Sequence, residues 1–121
     1  MDHLDVLERY YRFYNERSFS SIHQLLADAV TSFRPEMSGR RRFEPMTLAR
    51  DHFVAQLASC RDRFGTISMR SFDQTGNTLT AAVDFGAGYS AANTVIFSGS
   101  LIASTFVYRR DSEQRTQEAI A

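Results

Sequence analysis

Hydrophobic residues recur at helical spacing over residues 4–15, which predicts a first helix. The stripe consists of Leu4, Val6, Leu7, Tyr10, Tyr11, Phe13 and Tyr14. A phenol combines an apolar ring with a hydroxyl that needs a partner when it is buried. A helix with several phenols on its inner face is therefore suited to the wall of a cavity that holds a partly polar compound.

A capping-box pattern at Ser21 and Gln24 predicts that a second helix begins there and ends near Asp28. In such a box the two side chains satisfy free backbone N–H groups at the start of a helix. Residues 29–33 have the length and β-branching of a short strand, and Pro35 ends that strand one residue later.

A polar loop over residues 36–45 is predicted to precede a third helix, which opens at Thr47 and ends at Gly65. The apolar positions of this helix are Leu48, Phe53, Leu57 and Phe64. The loop contains the basic run Arg40, Arg41 and Arg42, which we interpret as solvated, with contact to an acidic partner surface as the alternative.

The rest of the chain has the patterns of strands joined by tight turns. The predicted strands are residues 67–73, 78–86, 93–97 and 101–109. In the second of these, alternation places Leu79 and Val83 on an inner face and Asp84 on an outer face. The polar tail over residues 111–121 is expected to fray or to be weakly helical.

Helices followed by an antiparallel run of strands predict an α+β fold, with the helices packed on one face of a curved sheet. The 121 residues form one domain with its core at about residues 4–110, and a hydrophobic share of 43% indicates a globular chain. The formal net charge of zero argues against nucleic acid or a membrane surface as a partner.

Several chemistries are disfavoured by residue counts. The chain has no Lys, which removes Schiff-base mechanisms, and its single Cys60 cannot form an intrachain disulfide. The widely spaced His3, His23 and His52 indicate no metal site. No apolar segment approaches the length of a membrane span and no signal peptide is recognisable, so we expect a cytoplasmic protein.

The order of elements, together with four local features, resembles the NTF2-like superfamily. These features are Tyr10, the helix end at Asn15, the segment 25–28 and the closing hairpin 95–102. Within that superfamily the chain is similar to the small SnoaL-like and ketosteroid-isomerase-like proteins. The resemblance implies an NTF2-like (cystatin-like) cone, with three N-terminal helices on a strongly curved, mostly antiparallel sheet and a pocket between the two layers.

The resemblance also implies which residues act. Steroid isomerases of this kind hold an enolate oxygen with a helix tyrosine and a protonated late-strand carboxyl, while an aspartate moves the proton. The matching positions here are Tyr10 for the tyrosine, Asn93 for the carboxyl and Arg34 for the aspartate. A guanidinium cannot accept a proton from carbon, so Arg34 is expected to anchor a carboxylate, a phosphate or a polarised carbonyl instead.

Two further groups of residues complete the candidate site. His52 is the candidate for proton transfer, with a core or edge position as the alternative. The expected substrate-binding residues are Tyr14, Phe53, Phe97, Ser104, Phe106 and Tyr108. Asp84 is excluded from the site because it lies on the outer face, where relatives dimerise.

The resemblance therefore implies an isomerase or cyclase that uses no cofactor and acts on a hydrophobic, carbonyl-bearing small molecule in polyketide-like secondary metabolism. It also implies a homodimer. The alternative is a non-catalytic NTF2-like module that only binds a ligand or only dimerises. A cavity for a drug-sized ligand should measure roughly 300 Å³ or more.

Overall fold

The computed structural model describes residues 2–33, 45–110 and 117–119, and its first helix confirms the leading sequence pattern. Helix α1 spans His3–Asn15. It begins where the Asp2 side chain accepts a hydrogen bond from the backbone N–H of Asp5 at 2.8 Å. The helix buries Val6, Leu7, Tyr10, Tyr11 and Tyr14 against the rest of the molecule.

The predicted second helix is wrong in its bounds. Helix α2 spans only Phe19–Ile22, a 3₁₀ turn follows at His23–Leu25, and strand β1 occupies Leu26–Phe33. The reason is burial, because Leu26 is fully buried and pairs with Ile102 of a later strand. Tertiary packing thus overrides the local helix signal, and strand β1 begins three residues earlier than predicted.

A strand stands where the start of the third helix was predicted. Strand β2 spans Pro45–Ala49 and pairs antiparallel with β1, so that Thr47 lies opposite Thr31 with their hydroxyl oxygens 2.8 Å apart. Helix α3 follows directly over Arg50–Phe64. Thr47 therefore lies in a strand directly opposite a second threonine, which is a favourable environment for a β-branched residue.

Gly65 ends helix α3, as the sequence predicted. Its φ is +81°, and its N–H donates to the Arg61 carbonyl at 3.0 Å. A Cβ at this position would lie 3.2 Å from the backbone nitrogen of Ala87. Only glycine meets both conditions without strain, which allows the chain to turn from the helix into the sheet.

The remaining strands confirm the predicted antiparallel meander. They are β3 (Ile67–Thr75), β4 (Thr78–Phe85), β5 (Ser90–Ser98), β6 (Leu101–Arg110) and β7 (Gln117–Ala119). The strand order is β2-β1-β6-β5-β4-β3, and β7 also pairs with β6. Only the pairing of β1 with β6 is parallel among the described strands. Residues 117–119 thus belong to the sheet, where a frayed or helical tail was expected.

The two faces of the sheet follow the predicted alternation. Leu79 and Val83 of β4 are fully buried under the helices, while Asp84 lies on the opposite face. There Asp84 accepts from Arg70 Nε at 2.8 Å and from Ser90 Oγ at 2.8 Å. The structural interpretation of this carboxylate is therefore confirmed.

The end of α1 is tied to the start of β3 through one side chain. The Asn15 Nδ2 donates to the Ile67 carbonyl at 2.8 Å, and the Ile67 N–H donates back to Asn15 Oδ1 at 2.7 Å. From helix α3, the Arg61 Nε and Nη2 donate to the Asn15 carbonyl at 3.4 and 3.3 Å. Asn15 therefore joins α1, α3 and β3, which are three of the elements that line the cavity described below.

Candidate functional site

A cavity lies between α1, α3 and the inner face of the sheet, where the sequence predicted a pocket. Its walls are Tyr10, Tyr11, Tyr14, Phe53, Gln56, Leu57, Cys60, Phe64, Ile67, Phe85, Asn93, Thr105 and Val107. Its volume is about 50 Å³, which is room for a few water molecules. The predicted volume was too large, because the aromatic side chains of both helices fill much of the space between the layers.

Tyr10 and Tyr14 of α1 both line this cavity, and the Tyr14 hydroxyl lacks a hydrogen-bond partner. The Tyr14 Oη is buried and has no hydrogen-bond partner. Tyr10 is also buried, with 6% of the residue exposed. A buried hydroxyl without a partner costs on the order of 1–3 kcal/mol, so the position of the Tyr14 hydroxyl is unfavourable for the stability of the fold.

A third phenol is part of a hydrogen-bonded network. The Tyr11 hydroxyl donates to Asn93 Oδ1 at 2.6 Å. The Asn93 Nδ2 in turn donates to Thr105 Oγ1 at 2.8 Å and to the Phe106 carbonyl at 3.1 Å. Asn93 is 1% exposed and Thr105 is 4% exposed, so this network lies in the interior. Both amide hydrogens of Asn93 are already used within the protein.

The titratable groups of the cavity hold their protons at neutral pH. Burial raises the pKa of Tyr10 well above its ordinary value, and the neighbouring Tyr11 phenol raises it further. Burial likewise raises the pKa of Tyr11 and of Tyr14. The pKa of Cys60 rises to about 11, mainly through burial, and Arg63 lowers it in part. Among the described walls, these groups are therefore hydrogen-bond donors and not bases.

Four of the candidate residues line the cavity. Tyr10 and Tyr14 contribute from α1, Phe53 from α3 and Asn93 from β5. The hydrogen bond from α1 to Asn93, however, comes from Tyr11 and not from Tyr10. The catalytic and binding roles of these residues remain predictions.

Three candidates on the last long strand do not line the cavity, because strand β6 contains a bulge. Phe97 pairs with Ile102, whereas Ile96 pairs with Ser104, so Ala103 is an extra residue in β6. Beyond this bulge the alternation is inverted, since one extra residue turns every later side chain to the opposite face. Thr105 and Val107 consequently face the cavity, where Ser104, Phe106 and Tyr108 were expected.

Two other candidates also lie away from the cavity. His52 is exposed near the start of α3, one position before Phe53, which is buried. Since each helical position turns by about 100°, Phe53 faces the sheet and His52 does not. Phe97 is buried, but its ring stacks on His3 at a centroid distance of 4.1 Å and is not part of the cavity wall.

The remaining candidate, Arg34, lies outside the described residues, as do Arg40, Arg41 and Arg42. Its expected role as an anchor therefore stays a prediction from the sequence alone.

Sequence reasoning missed several walls of the cavity. They are Tyr11, Gln56, Leu57, Cys60, Phe64, Ile67, Phe85, Thr105 and Val107. For Gln56 and Cys60 a signal was present, because they follow Phe53 at helical spacing and share its face. For Thr105 there was none, since the bulge at Ala103 has no distinctive sequence.

Two further features are absent from the part of the chain that the structure describes. In that part of the chain no three His, Cys, Asp or Glu side chains come together in a way that would hold a metal ion. Its helices are also too short or too polar to cross a membrane.

Comparison with known proteins places this geometry in a structural context. No protein-family model matches the chain, and no curated protein matches it. An NTF2-like protein of unknown function from Cytophaga hutchinsonii superimposes with a TM-score of 0.72 at 14% identity, over 93% of both chains. IdmH, a candidate polyketide cyclase from Streptomyces antibioticus, gives 0.71 at 13% identity, over 95% of this chain and 96% of its own.

A candidate ketosteroid isomerase from Kribbella flavida is also similar, with a TM-score of 0.70 at 13% identity, over 88% of this chain and 76% of its own. The chain therefore has the NTF2-like fold, as the resemblance implied: an α+β architecture with three helices on a mostly antiparallel sheet. At these identities the likeness establishes the fold alone, so the chemistry is argued from the cavity itself.

Proposed function

We propose that this protein binds a hydrophobic, carbonyl-bearing small molecule between α1, α3 and the sheet and promotes its isomerisation or cyclisation by polarising the carbonyl. The observation that carries this proposal is the buried Tyr14 hydroxyl, which has no hydrogen-bond partner and lies beside the Tyr10 phenol in a mostly apolar cavity. A carbonyl oxygen would accept from such hydroxyls, and their donation would stabilise the negative charge that develops during enolisation.

The size and chemistry of the cavity restrict the substrate. A volume of about 50 Å³ lies well below that of a site for a drug-sized ligand, so the proposed substrate is a very small ketone or the carbonyl end of a longer compound. Because the described walls contain no base, the proton acceptor is water or a basic group of the substrate. Arg34 enters the proposal from the sequence alone, as an anchor for an anionic or carbonyl oxygen.

A direct test uses cyclopentanone and follows exchange of its α-protons in deuterated water by NMR. We expect the protein to accelerate this exchange over buffer, and Tyr14→Phe to reduce the acceleration about 100-fold, the effect of losing one donor to a developing oxyanion. Tyr89→Phe is the matched control, since Tyr89 does not line the cavity and should leave the rate unchanged. An equal rate for Tyr14→Phe and the parent would contradict the proposal.

The same substitution should act oppositely on stability. The Tyr14 Oη has no hydrogen-bond partner, so Tyr14→Phe removes an unsatisfied hydroxyl and should stabilise the fold by about 1 kcal/mol. Urea denaturation measures this change. Lower activity together with higher stability would indicate a hydroxyl that serves the ligand and not the fold.

The second candidate function is a non-catalytic binding module. The small cavity and the absence of a base among its described walls favour this alternative. The exchange experiment separates the two functions: cyclopentanone that binds without faster α-exchange supports a module, whereas faster exchange supports catalysis.

We further propose that the outer face of the sheet mediates a homodimer. This face carries half-buried small and β-branched side chains, including Thr80, Ala82, Thr94 and Ile96. A two-fold interface of ordinary size would bury about 1,600 Å² in total. Thr94→Arg, in the middle of this face, should convert a dimer into a monomer in analytical ultracentrifugation. A parent chain that sediments as a monomer at micromolar concentration would rule the dimer out.

A further inference from the structure

The hydrogen bonds of Asn93 run in a fixed direction. The Phe106 carbonyl can only accept, so the side-chain atom of Asn93 that lies 3.1 Å from it must be the amide nitrogen Nδ2. The amide oxygen Oδ1 then faces Tyr11, whose hydroxyl must donate. The orientation of this amide is therefore determined by its partners.

The hydrogen bond between Asn93 and Thr105 also has a fixed donor and a fixed acceptor. The second hydrogen of Asn93 Nδ2 points to Thr105 Oγ1 at 2.8 Å, and an amide nitrogen has no lone pair with which to accept in return. Thr105 Oγ1 must accept from Asn93, so its own hydrogen points elsewhere. Among the described residues no other partner is recorded for this hydroxyl, and Thr105 lines the cavity.

We infer that Thr105 Oγ1 is the hydrogen-bond donor that the sheet presents to the carbonyl oxygen of the ligand, and that Asn93 is the positioning residue that fixes its direction. This inference rests on the proposed function. It replaces the direct contact of Asn93 with a ligand that the resemblance implied, because both amide hydrogens of Asn93 are occupied. The bulge at Ala103 is what turns Thr105 toward the cavity.

The chain of hydrogen bonds also strengthens the donor at its end. Tyr11 donates to the amide oxygen of Asn93, which polarises the amide and makes its N–H groups better donors. Donation from Nδ2 to Thr105 Oγ1 polarises the threonine O–H in turn. All three residues are buried, where such effects are screened least.

The experiment compares cyclopentanone with methylenecyclopentane, which has the same shape but no oxygen. Thr105→Val keeps the shape of the side chain and removes the hydroxyl, while Thr105→Ser keeps the hydroxyl. We expect Thr105→Val to weaken cyclopentanone binding by about threefold to tenfold and to leave methylenecyclopentane binding unchanged. The infrared carbonyl stretch of bound cyclopentanone should lie at lower frequency in the parent and in Thr105→Ser than in Thr105→Val.

A ligand-free measurement tests the direction of the network. In the 15N-labelled parent, both Nδ2 protons of Asn93 should be protected from solvent exchange, and in Thr105→Val one of them should lose its protection. Unchanged protection of both protons in Thr105→Val would overturn the inference. So would a carbonyl stretch that stays at the parent frequency in Thr105→Val.

If the proposed function is wrong, the binding and infrared experiments give a different result from the one that overturns the role of Thr105 alone. In that case cyclopentanone would bind the parent no more tightly than methylenecyclopentane, and its carbonyl stretch would not move on binding. The role of Thr105 as a donor to the ligand would then fall together with the proposed function. A parent that binds and polarises cyclopentanone, but does so without need of Thr105, overturns the inference alone.

Discussion

Replacing Asn15 by alanine should lower the free energy of unfolding by about 2–4 kcal/mol. The side chain both donates to and accepts from the backbone of Ile67, which is 7% exposed. Asn15→Ala leaves the N–H and the carbonyl of Ile67 without these partners, and a buried polar group without a partner costs more than an average hydrogen bond contributes. Urea denaturation followed by circular dichroism measures the loss.

Two variants make this result specific. Asn77→Ala is the control, because Asn77 donates one hydrogen bond to the Phe97 carbonyl at 3.1 Å from an exposed position and should cost about 1 kcal/mol or less. Asn15→Asp keeps the acceptor for the Ile67 N–H but places a carboxylate against the Ile67 carbonyl. Its stability should recover in part at acidic pH, where a protonated carboxyl donates again. If the free energy of unfolding of Asn15→Ala lies within about 0.5 kcal/mol of the parent value, the two hydrogen bonds between Asn15 and Ile67 do not stabilise the fold.

Prediction from the sequence succeeded best for the elements in which the local hydrophobic pattern agrees with the packing. Helix α1 and strand β4 have strict periodicity, and their buried faces are the ones that the periodicity indicates. Gly65 ended α3 as predicted because a positive φ is a local requirement that one residue type meets. These features depend on few residues beyond the segment itself.

Prediction failed where a distant partner decides the local structure. Residues 23–26 have helix signals, but Leu26 joins a parallel pair with β6, a contact that sequence spacing does not reveal. The site shows the same limit, because one extra residue at Ala103 exchanges the faces of β6. Tyr10, Tyr14, Phe53 and Asn93 line the cavity, whereas His52 and Phe97 do not, although both precede that bulge in the chain.

The remaining prediction is that the protein loses stability steeply at alkaline pH. In the folded state, burial raises the pKa of Tyr10, Tyr11 and Tyr14, and it raises the pKa of Cys60 to about 11. In the unfolded chain a thiol ionises near pH 8.5 and a phenol near pH 10. The folded state therefore binds more protons than the unfolded state above about pH 9. Between its unfolded and its folded pKa, each such group lowers stability by about 1.4 kcal/mol per pH unit.

The stability that these protonated phenols and the thiol contribute is fully present below their pKa values in the unfolded chain. It is lost as the pH rises toward their pKa values in the folded protein. Urea denaturation at several pH values between about 8 and 11 measures the decline, and phenolate absorbance should show that these three tyrosines ionise only as the chain unfolds. The double variant Tyr10→Phe/Tyr14→Phe should have a shallower decline, since phenylalanine has no proton to lose. Full ionisation of these phenols in a folded chain would mean that the cavity is open to water. Polarisation of a carbonyl by fixed, protonated hydroxyls would then lose its physical basis, because water would compete for the same donors.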